Sequence, residues 1–171
     1  MNDQITRALE GCSDTRAVET GRGVLPRIGP LVAELGQRAL VVADANTWAA
    51  AGERAAAALA EAGVEVETFI LDGSPVVAAS YANAERVRDR LRGTDLVPVA
   101  VGSGTINDIV KRASFEVERP YAVVGSAASM DGYTGFGAPM TIDGVKITMP
   151  CPAPAVAVVI CLCCWRSCAF A

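Results

Sequence analysis

Histidine is absent from the 171 residues. No histidine base and no histidine metal ligand can therefore come from this chain. Lysine and arginine form no run, and the formal net charge is -4, which argues against nucleic acid as the main partner. No apolar stretch is long enough to form a membrane helix. The N-terminus, Met1-Asn2-Asp3-Gln4, is polar, with no apolar core of a leader after it. The expected location is cytoplasmic. Cysteine is scarce for most of the length and then abundant. Cys12 and Cys151 stand alone, while Cys161, Cys163, Cys164 and Cys168 crowd the last eleven residues. Their C-x-C-C-x-x-x-C spacing does not match the paired C-x-x-C of a zinc ribbon. A disulfide knot does not suit a cytoplasmic α/β domain.

What is present fits one globular domain. Apolar residues make up 51% and charged residues 20%, enough to build a sizeable core. Residues 1–16 are polar and read as an arm or short helix. Ala17 to Gly23 reads as a short strand ending in a glycine turn. Leu25, Ile28, Leu31, Val32 and Leu35 have helical spacing up to Gly36. The Gly29-Pro30 pair favours a start at Pro30. Ala39 to Ala43 is a continuous apolar run, as in a central parallel strand. Thr47 is placed to cap a helix from Trp48 to Ala62. Val64 to Leu71 alternates as a strand with one polar face. Ala79 to Leu91 reads as a helix, with Arg86, Arg88, Arg90 and Arg92 on a solvated face. Tyr121 to Val124 and Ala155 to Val159 are further buried strands. Asp143-Gly144 between two strand-like runs, Ala138 to Ile142 and Val145 to Met149, signals a hairpin. Strands alternating with helices predict a parallel sheet in an α/β layer fold.

One turn organises the chain. Leu96 to Val101 reads as a buried strand, and Ile106, Ile109, Val110 and Ala113 have helical spacing. Between them lies Gly102-Ser103-Gly104-Thr105. Strand, glycine turn and helix together can hold a phosphate, because the first helical N–H groups and the helix dipole face the anion. The third glycine of G-x-G-x-x-G is missing, so an ordinary strand-to-helix connection explains the turn equally well. In such sheets ligands sit beyond the carboxyl ends of the strands. Three loops fall there: Asp44 to Thr47, Gly102 to Asn107, and Ser126 to Asp131. Asp44 can accept hydrogen bonds from a ribose diol or can cap a turn. Ser126 and Ser129 can donate to a pyrophosphate or a nicotinamide amide, or can serve tight packing. Asp131 can orient a hydroxylated substrate or form an Asp-Gly turn.

Asp44-Ala45-Asn46-Thr47, Gly102 to Asp108, and Ser129-Met130-Asp131-Gly132-Tyr133-Thr134 together resemble the sn-glycerol-1-phosphate dehydrogenases. These sit beside the iron-containing alcohol dehydrogenases, glycerol dehydrogenases and dehydroquinate synthases. The resemblance runs from Ala17 to Val159, and Gly144-Val145-Lys146-Ile147-Thr148 favours the glycerol-1-phosphate branch. It implies a Rossmann-like NAD- or NADP-binding domain with an added hairpin, and reversible reduction of dihydroxyacetone phosphate to glycerol 1-phosphate. It implies that Asp44 contacts the cofactor ribose, which favours NAD over NADP. It places Gly102, Ser103, Gly104, Thr105 and Ile106 on the pyrophosphate. It places Ser126, Ala127, Ala128 and Ser129 near the nicotinamide, and Asp131 on the substrate. It further implies a homodimer as one assembly, and a helical domain carrying an aspartate and two histidines for zinc or nickel.

The sequence departs from that pattern in three places. Gly125-Ser126 stands where Pro-Thr is usual, and Gly135 where serine is usual, so one hydroxyl is lost. From Ile160 on the composition changes to the cysteine-rich tail, and the helical metal domain is expected to be absent. Under GC-rich codon choice, a one-base shift after Val159 reads DLPVLLAQLRLR, an aspartate followed by an apolar stretch. We therefore expect residues 160–171 to be a frameshift product. An open coding frame that does not run on into a histidine-containing helical region would reject this. The expected chain is a cofactor-binding half with weak nucleotide binding, negligible turnover and no seat for the metal. A polyol dehydrogenase, a non-catalytic nucleotide-binding fragment and a dehydroquinate synthase are the alternatives.

Overall fold

The structure, a computed structural model, describes residues 3–74, 76–127, 130 and 132–160. Ala128, Ser129 and Asp131, and the cysteines from Cys161 on, lie outside the described residues. Six strands form one parallel sheet: β1 (Ala17–Gly21), β2 (Arg38–Asp44), β3 (Glu65–Leu71), β4 (Val97–Gly102), β5 (Ala122–Gly125) and β8 (Val156–Ile160). Their order across the sheet is β1-β8-β5-β4-β2-β3, and every neighbouring pair is parallel. Parallel strands need crossovers, and those between β1 and β5 are helices: α2 (Ile28–Ala33), α3 (Ala45–Thr47) running into α4 (Glu53–Glu61), α5 (Tyr81–Leu91) and α6 (Gly104–Glu116). α1 (Asp3–Leu9) precedes the sheet.

The central strands are apolar throughout because both faces are covered. Ala39, Val41 and Ala43 pack with Ile28, Val32, Ala55 and Leu59 on the α2/α4 face. Leu40 and Val42 pack with Val87, Leu91, Ile109 and Val110 on the α5/α6 face. Successive residues of one strand thus feed two cores. β6 (Ala138–Ile142) and β7 (Val145–Met149) form a separate antiparallel hairpin against α6. Asp143 and Gly144 at its tip both have positive φ, 49° and 80°, as a two-residue I′ turn requires.

Several sequence expectations are corrected. The second helix begins at Ile28 rather than Pro30. Gly29 sits inside it because a side chain there would collide with α4, and Pro30 falls in the first turn, where no helical N–H bond is lost. The third helix begins at Ala45, and its N-cap is Asp44; Thr47 is the N3 partner rather than the cap. A π-turn over Trp48–Gly52 joins α3 to α4, with the indole lying against Gly52. The helix expected from Ala79 starts at Tyr81, capped by Ser80. Arg88 is not on a solvated face. Its side chain is 13% exposed, and its guanidinium pairs with Glu116, Glu85 and Asp89.

Candidate functional site

The strand order reverses direction between β2 and β4. The chain leaves β2 for β3 on one side, then returns to β4 on the other. A crevice opens at such a switch point, outside the carboxyl ends of the strands. Val42 pairs with Ala100, so Asp44 and Gly102, two residues on, end their strands at one rim. Gly102 pairs with Gly125 at the end of β5. The structure therefore brings Asp44, Gly102 and Ser126 to the same edge.

Gly102 has no room for a side chain. A β-carbon there would lie 2.8 Å from Ile106 Cγ1 and 3.3 Å from Thr47 Cγ2. The two turns after β2 and β4 meet over that glycine. Ser103 is the N-cap of α6, with extended backbone (φ -94°, ψ -162°), and its hydroxyl makes no capping bond. The first intrahelical bond runs from Asn107 N–H to Ser103 O, 3.1 Å. The N–H groups of Gly104, Thr105 and Ile106 thus stand outside the helical ladder. They point off the positive end of a 13-residue helix, a setting that favours an anion. A β-carbon on Gly104 would lie 2.8 Å from Cε of Met130, which covers this turn from the side. Ser126 N–H donates to Gly102 O at 2.9 Å, and Ser126 and Ala127 are half-buried beside it.

Asp44 takes the capping role. Its Oδ1 accepts from Thr47 N–H at 2.8 Å, and Thr47 Oγ1 accepts from Asp44 N–H at 3.0 Å. This reciprocal pair is a capping box. It uses one carboxylate oxygen, and a carboxylate has two, so capping and a ligand hydroxyl are compatible. Ala128, Ser129 and Asp131 lie outside the described residues.

Sequence reasoning missed a polar cluster on α6. Asn107 is fully buried, its Oδ1 accepting from Tyr121 O–H at 3.0 Å, while Nδ2 has no partner among the described residues. Lys111 is buried too, and its ammonium donates to Gly135 O (2.8 Å) and Gly137 O (3.0 Å). Burial pushes the Asp108 carboxyl up to about 6, opposed by the Lys111 and Lys146 charges. Burial also lowers the pKa of Lys111, with the Asp108 charge opposing. The signal was there in the sequence. Asn107, Asp108 and Lys111 interrupt the apolar stripe at one-turn spacing, where solvated residues would lie on the far face. Tyr133 was missed as well; its ring lies on Gly125 and its hydroxyl reaches Gly102 and Ala127.

The profile of the iron-containing alcohol dehydrogenases matches residues 19–166. This chain belongs to that family. Among its relatives, the glycerol-1-phosphate dehydrogenase, NAD(P)+, of Halalkalibacterium halodurans is 40% identical over 111 residues, 63% of this chain and 28% of the relative. The enzyme of the same name from Methanothrix thermoacetophila is 31% identical over 150 residues, 85% of this chain and 40% of the relative. The crystal structure of glycerol dehydrogenase from Schizosaccharomyces pombe shares the fold, with a TM-score of 0.74 at 21% identity, covering 85% of this chain and 37% of that one. The chain spans between 28 and 40% of the length of these curated relatives. Among the described residues, no helix is long and apolar enough to cross a membrane.

Proposed function

We propose that this chain is the nucleotide-binding part of an NAD(P)-dependent sn-glycerol-1-phosphate dehydrogenase, acting on dihydroxyacetone phosphate in the cytoplasm. The observation that carries this is the meeting of three turns, after β2, β4 and β5, at the switch-point rim. The unladdered N–H groups of Gly104, Thr105 and Ile106, with the Ser103 hydroxyl, suit a pyrophosphate. The second oxygen of Asp44 suits a ribose diol and repels a 2′-phosphate, which favours NAD. Ser126 and Ala127, with Ala128 and Ser129, would face the nicotinamide, and Asp131 the substrate hydroxyls. When bound, the nicotinamide supplies or takes the hydride; the residues here bind and orient it. Among the described residues nothing gathers to hold the zinc or nickel implied by the resemblance. Histidine is absent, and among the described residues no three Cys, Asp or Glu side chains cluster to hold an ion. No catalytic step is therefore assigned to a metal on this chain.

A second reading, a non-catalytic nucleotide-binding module, rests on the absence of histidine and of a ligand cluster among the described residues. Titration of the 171-residue chain with NADH and NADPH, followed by nucleotide fluorescence, separates the outcomes. We expect saturable binding with NADH preferred. We expect no dihydroxyacetone phosphate-dependent oxidation, with or without added zinc or nickel. Metal-dependent turnover by this chain would contradict the assignment of a binding part only. Absence of any nucleotide binding would contradict both readings.

A further inference from the structure

Resting on the nucleotide reading above, we propose that Tyr133 is a positioning residue of the crevice, pinning the turns after β4 and β5 so that their main-chain groups face one ligand. Tyr133 is 3% exposed. Its hydroxyl accepts from Ala127 N–H at 3.0 Å. Its one proton is shared between two carbonyl oxygens, Ala127 at 3.2 Å and Gly102 at 3.3 Å. Gly102 O also receives Ser126 N–H at 2.9 Å. One phenol and one carbonyl thus tie the end of β4 to the loop that leaves β5.

The ring is held as firmly as the hydroxyl. A β-carbon on Gly125 would lie 2.6 to 2.9 Å from three ring atoms, so the ring rests directly on the backbone where β5 ends. The turn that carries Tyr133, Gly132–Thr134, is anchored from the other side. Lys111 on α6 donates to Gly135 O and Gly137 O. The loop of contacts therefore closes. α6 presents its N-terminus to the crevice, Lys111 on the same helix grips the segment bearing Tyr133, and Tyr133 grips the two strand ends beside that N-terminus. Three main-chain segments are fixed relative to one another before any ligand arrives, which lowers the ordering cost of binding. Burial raises the pKa of the Tyr133 phenol, outweighing the hydrogen bonds from Ala127 and Ser126. The clamp keeps its proton through the neutral range.

The test compares Tyr133→Phe, which keeps the ring and removes the hydroxyl, with Glu116→Gln, which weakens the α5–α6 contact far from the rim. Both are made in the 171-residue chain, and NADH affinity, melting temperature and amide hydrogen exchange are measured. Tyr133→Phe is expected to weaken NADH binding about tenfold and to speed exchange at Ala127. Glu116→Gln is expected to lower the melting temperature by at least as much and leave the affinity unchanged. Unchanged affinity in Tyr133→Phe, or equal losses in both variants, would overturn the positioning role. If the unmodified chain binds no NADH, the nucleotide reading fails and takes the role with it. Exchange at Ala127 distinguishes the cases: faster exchange in Tyr133→Phe then shows a clamp that serves the fold alone.

Discussion

Gly29 in α2 lies so close to Ala58 in α4 that a β-carbon on the glycine would stand 2.2 Å from the Ala58 carbonyl oxygen. The obstacle is backbone, which cannot rotate away as a side chain can. Gly29→Ala must push the two helices apart over the Ala39–Val41–Ala43 face of the sheet. Overpacking of this kind costs about 1–3 kcal/mol. Urea unfolding should report that loss, and a Gly29→Ala chain as stable as the original would show that the helices do not cross so closely.

Asp44 carries two roles that one pair of substitutions separates. Asparagine caps as well as aspartate, whereas alanine loses about 1 kcal/mol of cap. Asp44→Asn should keep the melting temperature and lose the preference for NADH over NADPH, because the charge that repels a 2′-phosphate is gone. Asp44→Ala should lose stability and binding together. If Asp44→Asn keeps the NADH preference intact, Asp44 is a cap and nothing more.

The Asp108 carboxyl predicts a pH dependence. Its folded pKa is raised by burial to about 6, with Lys111 and Lys146 pulling the other way. A raised carboxyl favours the folded state when protonated. Its contribution is complete below the unfolded pKa near 3.8 and is lost as pH rises through 6. A shift of this size corresponds to roughly 2–3 kcal/mol. Relative to Asp108→Asn, the unmodified chain should lose that amount of unfolding free energy between about pH 4 and pH 7. Parallel stability curves for the two chains across that range would count against a buried carboxyl.

Glu116 ties α5 to α6. Its carboxylate meets Arg112 at 2.6 Å, Tyr81 O–H at 2.8 Å and Arg88 at 3.1 Å, and the three charged side chains are 13–14% exposed. Removing one partner from such a network leaves the others incompletely matched, at a cost of about 1–3 kcal/mol. Glu116→Gln should show that loss at neutral pH, read by thermal or urea unfolding. These hydrogen bonds lower the Glu116 pKa despite its burial. The network's contribution is therefore present at neutral pH and is lost as pH falls through that depressed value.

Much of this architecture was legible in the sequence. Short continuous apolar runs, such as Ala39 to Ala43 and Tyr121 to Val124, are buried parallel strands because only double burial tolerates them. Asp143-Gly144 gave the hairpin because few residues accept positive φ twice in succession. What could not be read is what depends on distant partners. Arg88 looks solvated until Glu116, 28 residues on, is placed beside it. Asp44 and Thr47 share a turn, and sequence could not say which was the cap. Counting apolar positions on α6 found the stripe but passed over Lys111, whose acceptors are main-chain oxygens 24 and 26 residues away. The glycine at 125 has a reason only once the Tyr133 ring lies on it.

The central claim is that a nucleotide lies across the carboxyl rim of β2, β4 and β5. The opposite rim offers an internal control: a cavity of about 370 Å³ lined by residues that include Arg16, Arg119 and Tyr121. Amide chemical-shift mapping of the 171-residue chain during an NADH titration compares the two directly. The account predicts saturable shifts at Gly102, Ser103, Gly104, Thr105 and Ser126, with Arg16 and Arg119 unmoved. Shifts gathered around the amino-rim cavity, or none at any rim residue at saturating NADH, would contradict it.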